Sequence, residues 1–428
     1  MKHSIISLFV LSLLVSNTYS EAPDVLTTPQ DHRIATESTV GTEWEREWEV
    51  IAADSPYRDV KIIDKFGKWP EKEGEPYYSS QVGTWFTVWW SAKGGKTFDF
   101  WTRENWTRLK PLDYGYYCSG DEDYLISVLI RLKYIGIDFI ALDDTNGHWN
   151  AHGVIAENIA SCFQTADSLG DRSPQVAICS GHHLRANERD AQRRELDHYY
   201  SEFVEKHPDA FFHWKGKPMV VMYLAGAAGR RMEDDRFTIR YGTGLATWQN
   251  RTEDTHLFET EGNWAWVFDI QNPDSEVMGT QPGYNKAHQG NPMKPVPRES
   301  GKRYIAQWLA AIKRNPECIV IPSYNDHAEE TGWEATLPTR PAITSAAQDV
   351  PGEDPYLYEK ITEGYLALRY GFIESFHYRV EGSDQVFVFE AGELEKADAR
   401  NPLIDPVIVL PDDYLKWYRS RSSGLDDA

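Results

Sequence analysis

The sequence predicts an α/β protein of the (β/α)8 TIM-barrel class, and three observations carry that prediction. Short apolar runs rich in β-branched and aromatic residues alternate with stretches of helical periodicity. The alternation continues for about 270 residues, the size of one such barrel. No Gly-rich GxGxxG turn follows the first strand, so a doubly wound dinucleotide-binding sheet is the weaker alternative.

The elements follow in order. A β-rich run over 82–90 opens the series. Leu125, Ile126, Val128, Leu129, Leu132 and Tyr134 recur at helical spacing, which predicts a helix over 121–134 stopped by Gly136, and a buried strand over 137–142 comes next. Helices are predicted over 154–169, 188–203, 302–313 and 358–370, and strands over 175–179, 218–224, 264–270 and 318–322. Residues 21–76, rich in charge, Trp and Pro without a clear period, read as an irregular segment. The barrel is expected over 77–371. Residues 372–428 read as a short β-rich appendix with candidate strands over 385–389 and 407–410.

Composition limits the function. Of 428 residues, 41% are hydrophobic and 26% charged, ordinary values for a packed globular protein. The formal net charge of −22 repels phosphate backbones and anionic lipid headgroups, which excludes nucleic acid as the expected partner. Residues 1–20 carry Lys2, an apolar run and the small-residue exit Thr18-Tyr19-Ser20, the features of a cleavable secretory signal, so a secreted or periplasmic location is expected, with a mature chain beginning near Glu21. That run is too short to span a bilayer and no other stretch reaches the length of a transmembrane segment. Cys118, Cys162, Cys179 and Cys318 are scattered, with neither CxxC pairs nor metal-ligand spacing. Free buried thiols are the expectation and a single bridge the alternative.

The richest segment for chemistry is 318–334, an apolar strand running into Ser323, Tyr324, Asn325, Asp326, His327, Glu329, Glu330, Thr331, Trp333 and Glu334. Carboxylates at the end of a barrel strand stand where barrel enzymes do their chemistry, and glycosidic cleavage needs two carboxyl groups. Asp326 and Glu329 are the candidate pair. On spacing alone a solvated acidic helix start is the favoured reading of these carboxylates. Asp143 and Asp144 end the 137–142 strand at the same rim, and alternation allows one of them to face the site. His182, after the 175–179 strand, and Tyr223, near the end of the next, are further candidates for holding substrate hydroxyls. Adjacent His182 and His183 diverge in an extended segment and no third ligand recurs, so no metal is expected, and no cofactor. Trp85, Trp89, Trp90, Trp149, Trp264, Trp266 and Trp333 lie on or just after strands, where some fill the core and others are placed to stack on pyranose rings. Alternation through 85–90 puts Trp85 and Trp89 on one side and Trp90 on the other.

The run Asn325-Asp326-His327-Ala328-Glu329 resembles the Asn-Asp-x-x-Glu signature of glycoside hydrolase family 71, the α-1,3-glucanases. The longer run 325–334 is similar to the Asn-Glu-Trp-x-Glu-Gly-Thr-x-x-Glu pattern of family 99 endo-α-mannosidases and of WbsX-like proteins. Two positions depart from it: the first carboxylate is Asp326, and Glu330 stands where the pattern has Gly. Trp85 to Trp90, the step 135–139 and Gln281-Pro282-Gly283-Tyr284 are similar to further segments of family 99-like domains. The resemblance implies a TIM barrel, Glu329 as general acid/base, Asp326 as the second carboxylate, and Asn325, Trp333, Glu334 and Tyr284 beside the substrate.

The expected protein is therefore a secreted glycoside hydrolase that cleaves an α-linked polysaccharide, of α-mannan or α-1,3-glucan type, attacking its chain internally and using Asp326 and Glu329 as its carboxylate pair. The alternative is a non-catalytic glycan-binding protein on a degenerate barrel. A Ser hydrolase lacks its GxSxG elbow. Nothing in the sequence fixes the oligomeric state.

Overall fold

Strand and helix alternate as the hydrophobic periods require. A computed structural model describes residues 46–50, 60–64, 78–91, 101, 106–145, 154–181, 189–223, 232–242, 261–266, 275–290, 295–298, 301–340, 355–369, 375–379, 386–390 and 408–409. The 1–20 leader expected from the sequence lies outside these residues. Two strands, β1 (Arg46–Val50) and β2 (Val60–Asp64), pair antiparallel within the stretch read as irregular.

The main sheet begins with β3 (Gln81–Thr87). After β4 (Leu109–Pro111) comes α1 (Glu122–Ile135), whose start is capped by the Asp121 carboxylate accepting from the Asp123 and Tyr124 N–H groups. It ends at Gly136, where φ of 111° suits a residue without Cβ. Then follow β5 (Phe139–Asp144), α2 (Val154–Leu169), β6 (Gln175–Ser180) and α3 (Arg189–Tyr199), whose last turn widens into a π-helical turn over Tyr200–Val204. The strands β7 (His213–Trp214), β8 (Lys217–Tyr223), β9 (Thr238–Gly242) and β10 (Val277–Gly279) lead to α4 (Lys302–Arg314) and β11 (Cys318–Ile321). A short β12 (Thr336–Pro338) pairs with β4, and α5 (Leu357–Arg369) follows. In the appendix, β13 (Ser375–Arg379) lies between β14 (Val386–Glu390) and β15 (Ile408–Val409) in an antiparallel sheet.

The parallel strands run in the order β10-β11-β3-β5-β6-β8-β9, with β7 antiparallel on β8. The chain's last parallel strand thus pairs with its first, Ile319 opposite Val82. The class is α/β, and all these strands point their C-terminal ends the same way.

Period-two alternation divides the buried side chains into two clusters. Trp85, Phe139, Ala141, Cys179, Val221 and Val320 belong to one, filled by large aromatic rings such as Trp264. Phe86, Ile140, Leu142, Ile178, Val220 and Ile319 belong to the other, together with the apolar residues of α1, α2, α4 and α5. Each such side chain removed from water contributes on the order of 1.5–3 kcal/mol. No helix among the described residues is long and apolar enough to cross a membrane. All four cysteines are free: Cys118 is half-buried and the others are buried.

Three sequence expectations change here. The first strand stops at Thr87, so alternation does not reach Trp89, which joins Trp90 in the helix-side cluster. Residues 264–266 are not in a regular strand, although Trp264 N–H donates to the Tyr241 carbonyl (3.1 Å), and 267–270 lie outside the described residues. Strands β9 and β10 were not foreseen, because three to five residues mixed with Arg240 or ending in Gly give no clear period.

Candidate functional site

The site is assembled from the C-terminal ends of the parallel strands. On β5, Phe139 and Ala141 belong to the Trp85 cluster and Ile140 and Leu142 to the helix-side cluster, so Asp143 and Asp144 face opposite ways. Asp144 accepts a hydrogen bond from the Tyr199 hydroxyl of α3 (2.6 Å), on the helix side. Asp143 accepts at Oδ1 from the Thr145 N–H (3.0 Å) and hydroxyl (2.6 Å), while its buried Oδ2 has no hydrogen-bond partner.

The loop after β11 is held by its own polar atoms. Asn325 is fully buried and staples β11 to β3: its Oδ1 accepts from the Thr87 N–H (2.7 Å), and its Nδ2 donates to the Thr87 carbonyl (3.0 Å). Ser323 Oγ accepts from the Asp326 N–H (2.8 Å), and Asp326 Oδ1 accepts from the Glu329 N–H (3.0 Å). Asp326 is 1% exposed, with a buried Oδ2 that has no partner. Glu329, about a quarter exposed, accepts at Oε1 from Lys286 Nζ (2.7 Å), and its carbonyl accepts from the Asn285 N–H (2.8 Å). The loops after β10 and β11 are thereby joined.

The electrostatics place these groups in one field. Burial first, then the Glu329 charge, hold the Asp326 carboxyl well above the usual range, with Asp143 adding to the rise and Lys286 opposing it. Burial pushes Asp143 up to about 7 against its hydrogen bonds from Thr145, with Glu329 and Asp144 adding. Burial lowers the affinity of Lys286 for its proton, and the charges of Glu329, Asp326 and Asp143 more than reverse that, so it stays a cation. Tyr284 is raised by burial, then by Glu329 and Asp326. Tyr223, half-buried at the end of β8, meets the Trp266 ring edge to face, with centroids 5.8 Å apart.

The other sequence candidates sit elsewhere. His182, like His183 and Trp149, lies outside the described residues. Trp85 is fully buried, donates from Nε1 to the Trp264 carbonyl (2.9 Å) and lies against Trp266 (4.5 Å) inside the sheet. Trp333, 2% exposed, donates to Thr84 Oγ1 (3.1 Å) and meets Tyr324 edge to face. Glu334 turns into a buried network, accepting from Tyr117 (3.1 Å) and lying 2.8 Å from His327 Nε2; burial pulls His327 down to about 3, so the imidazole is neutral. The tryptophans read as sugar platforms are thus mainly core. Glu330, in place of the pattern's Gly, has a left-handed backbone (φ 52°), and its carboxylate forms a buried bidentate pair with Arg108 (2.6 and 3.0 Å). It points into Arg108 and Asn285 rather than at a substrate.

Lys286 joins the site without having been singled out from the sequence. Lys286 follows Tyr284 and Asn285 just beyond β10, but no motif marks a lysine that meets its carboxylate 43 residues later. Among the described residues no group of three or more His, Cys, Asp or Glu is arranged to hold a metal ion.

No protein-family model matches the chain, and no curated protein does. Among solved structures it is similar to the GH99 endo-alpha-mannosidase from Bacteroides thetaiotaomicron, with a TM-score of 0.49 and 14% identity over 67% of this chain and 96% of that one. A structure of that enzyme with bis-tris-propane gives the same TM-score and coverage at 16% identity.

Proposed function

We propose that this protein is a glycoside hydrolase acting on an α-linked polysaccharide. The observation that carries the reading is the carboxyl pair itself: Asp326, buried and with its carboxyl held well above the usual range, beside Glu329, part-exposed and bound to Lys286, at the C-terminal end of a parallel sheet. Two carboxyl groups in different environments are what glycosidic cleavage requires, one to protonate the leaving oxygen and one to attack or to activate water. Asp143, with an unsatisfied buried oxygen, and the half-buried ring of Tyr223 would supply a hydroxyl acceptor and an apolar edge for a sugar.

The architecture proposed for it is a complete (β/α)8 barrel in which residues 264–266 supply the sixth strand position, supported by the β11 to β3 pairing and by the bond from Trp264 to Tyr241. Mannan or α-1,3-glucan as substrate, internal attack and export all rest on the sequence features that imply them. The binding-only alternative drew its support from Glu330, and the Arg108 pair accounts for that residue without loss of the site. A screen of purified protein against α- and β-linked polysaccharides, reading new reducing ends, tests the proposal. Turnover of an α-linked glucan or mannan is expected. Glycan affinity without turnover on any of them would favour the binding protein.

A further inference from the structure

We infer that Lys286 is a positioning residue that sets the division of labour in the carboxyl pair: it holds Glu329 as the anion and leaves the proton of the resting site on Asp326. This reverses the roles that the family resemblance implies. The inference rests on the glycosidase reading for what the pair does in turnover, whereas the position of the proton is a property of the free protein.

The geometry is asymmetric. Glu329 is part-exposed and takes a charge-assisted hydrogen bond from Lys286 Nζ at 2.7 Å, which favours the carboxylate. Asp326 is 1% exposed and takes one backbone N–H at Oδ1, and its buried Oδ2 has no partner. An anion there would strand an unsolvated oxygen, whereas a neutral carboxyl carries its proton on Oδ2. Among the described residues, the charged and titratable groups around Asp326 are Glu329 on its own loop, Asp143 on β5 with Asp144 behind it, and Lys286 and Tyr284 from the loop after β10, with Tyr223 of β8 next to Tyr284. The carboxylates among them disfavour a further negative charge. Lys286, the cation that opposes this, is bound directly to Glu329.

In turnover Asp326 O–H then gives its proton to the glycosidic oxygen as the C–O bond breaks. The Glu329 carboxylate supplies the electron pair, either to the anomeric carbon or to a proton of the water that adds there. In the first case water later cleaves the glycosyl ester and Asp326 takes its proton back. In the second the proton on Glu329 returns to Asp326 through solvent.

Two measurements decide it. Infrared spectra of the free protein, recorded near pH 7 in an Asp143→Asn background that silences the neighbouring carboxyl, should lose one protonated-carboxyl band on Asp326→Asn and gain one on Lys286→Met but not on Lys286→Arg. An unchanged band in Asp326→Asn overturns the inference, even if no turnover is ever found. Kinetics on dinitrophenyl α-glycosides, whose leaving group needs no proton, supply the second. Asp326→Asn should lose about 10²–10⁴-fold on polysaccharide and much less on the activated glycoside, while Glu329→Gln loses on both. Lys286→Met should move the acidic limb of the pH profile upward, with Lys286→Arg restoring it. The opposite pattern, with Glu329→Gln spared on the activated substrate, also overturns it.

Discussion

Asp143 and Asp144 are neighbours in sequence with opposite surroundings. Pleating sends Asp144 to Tyr199 and the helix layer, and Asp143 into the field of Glu329. Which of the two faces Glu329 is set by strand register, which the sequence pattern left one residue open. Because Asp143 is held at about 7, against an ordinary 3.8, the folded chain binds that proton more tightly than the unfolded chain does. Its contribution to stability is full below about pH 4 and is lost as the pH rises through about 7, a span worth about 4 kcal/mol. Urea unfolding near pH 5 and pH 8 should therefore show wild type losing stability on the alkaline side and Asp143→Asn losing less. Parallel losses in the two proteins would contradict the placement of Asp143.

At the scale of elements, β3 and β5 meet where a glycine is needed. A Cβ at Gly83 would stand 2.2 Å from the Phe139 ring, which itself stacks on Phe212 with centroids 4.0 Å apart. Gly83→Ala should destabilise the fold by about 1–3 kcal/mol through overpacking, and adding Phe139→Leu should recover part of that; calorimetric melts of the single and double variants check it. A double variant no better than the single would place the strain elsewhere. Long periodic elements were legible in the sequence: α1, α2, α4 and α5, and the strands β5, β6, β8 and β11, stand within a few residues of their predicted ranges. Short ones were not. Nor was the direction of side chains in the loop over 323–334, because a loop has no period and Glu330 takes a left-handed turn. The sequence named its polar residues, and folding sorted them: Asp326 and Glu329 beside Lys286, Glu330 onto Arg108, and Glu334 onto Tyr117 and His327.

For the whole molecule, a parallel sheet whose first and last strands pair brings residues from 143 to 329 to one end. That long-range gathering explains why Lys286 carried no local signal. It also explains why tryptophans dense along the sequence are mostly buried: Trp85, Trp264 and Trp266 belong to one aromatic cluster on one face of the sheet, with Trp266 beside Tyr223. The central claim is that Asp326 and Glu329 together perform glycosidic cleavage. The most direct test is the initial rate of reducing-end release from the polysaccharide that the wild type degrades, compared with Asp326→Asn and Glu329→Gln. Both variants should fall about 10²–10⁴-fold while still binding the glycan. Undiminished release in both would contradict the account.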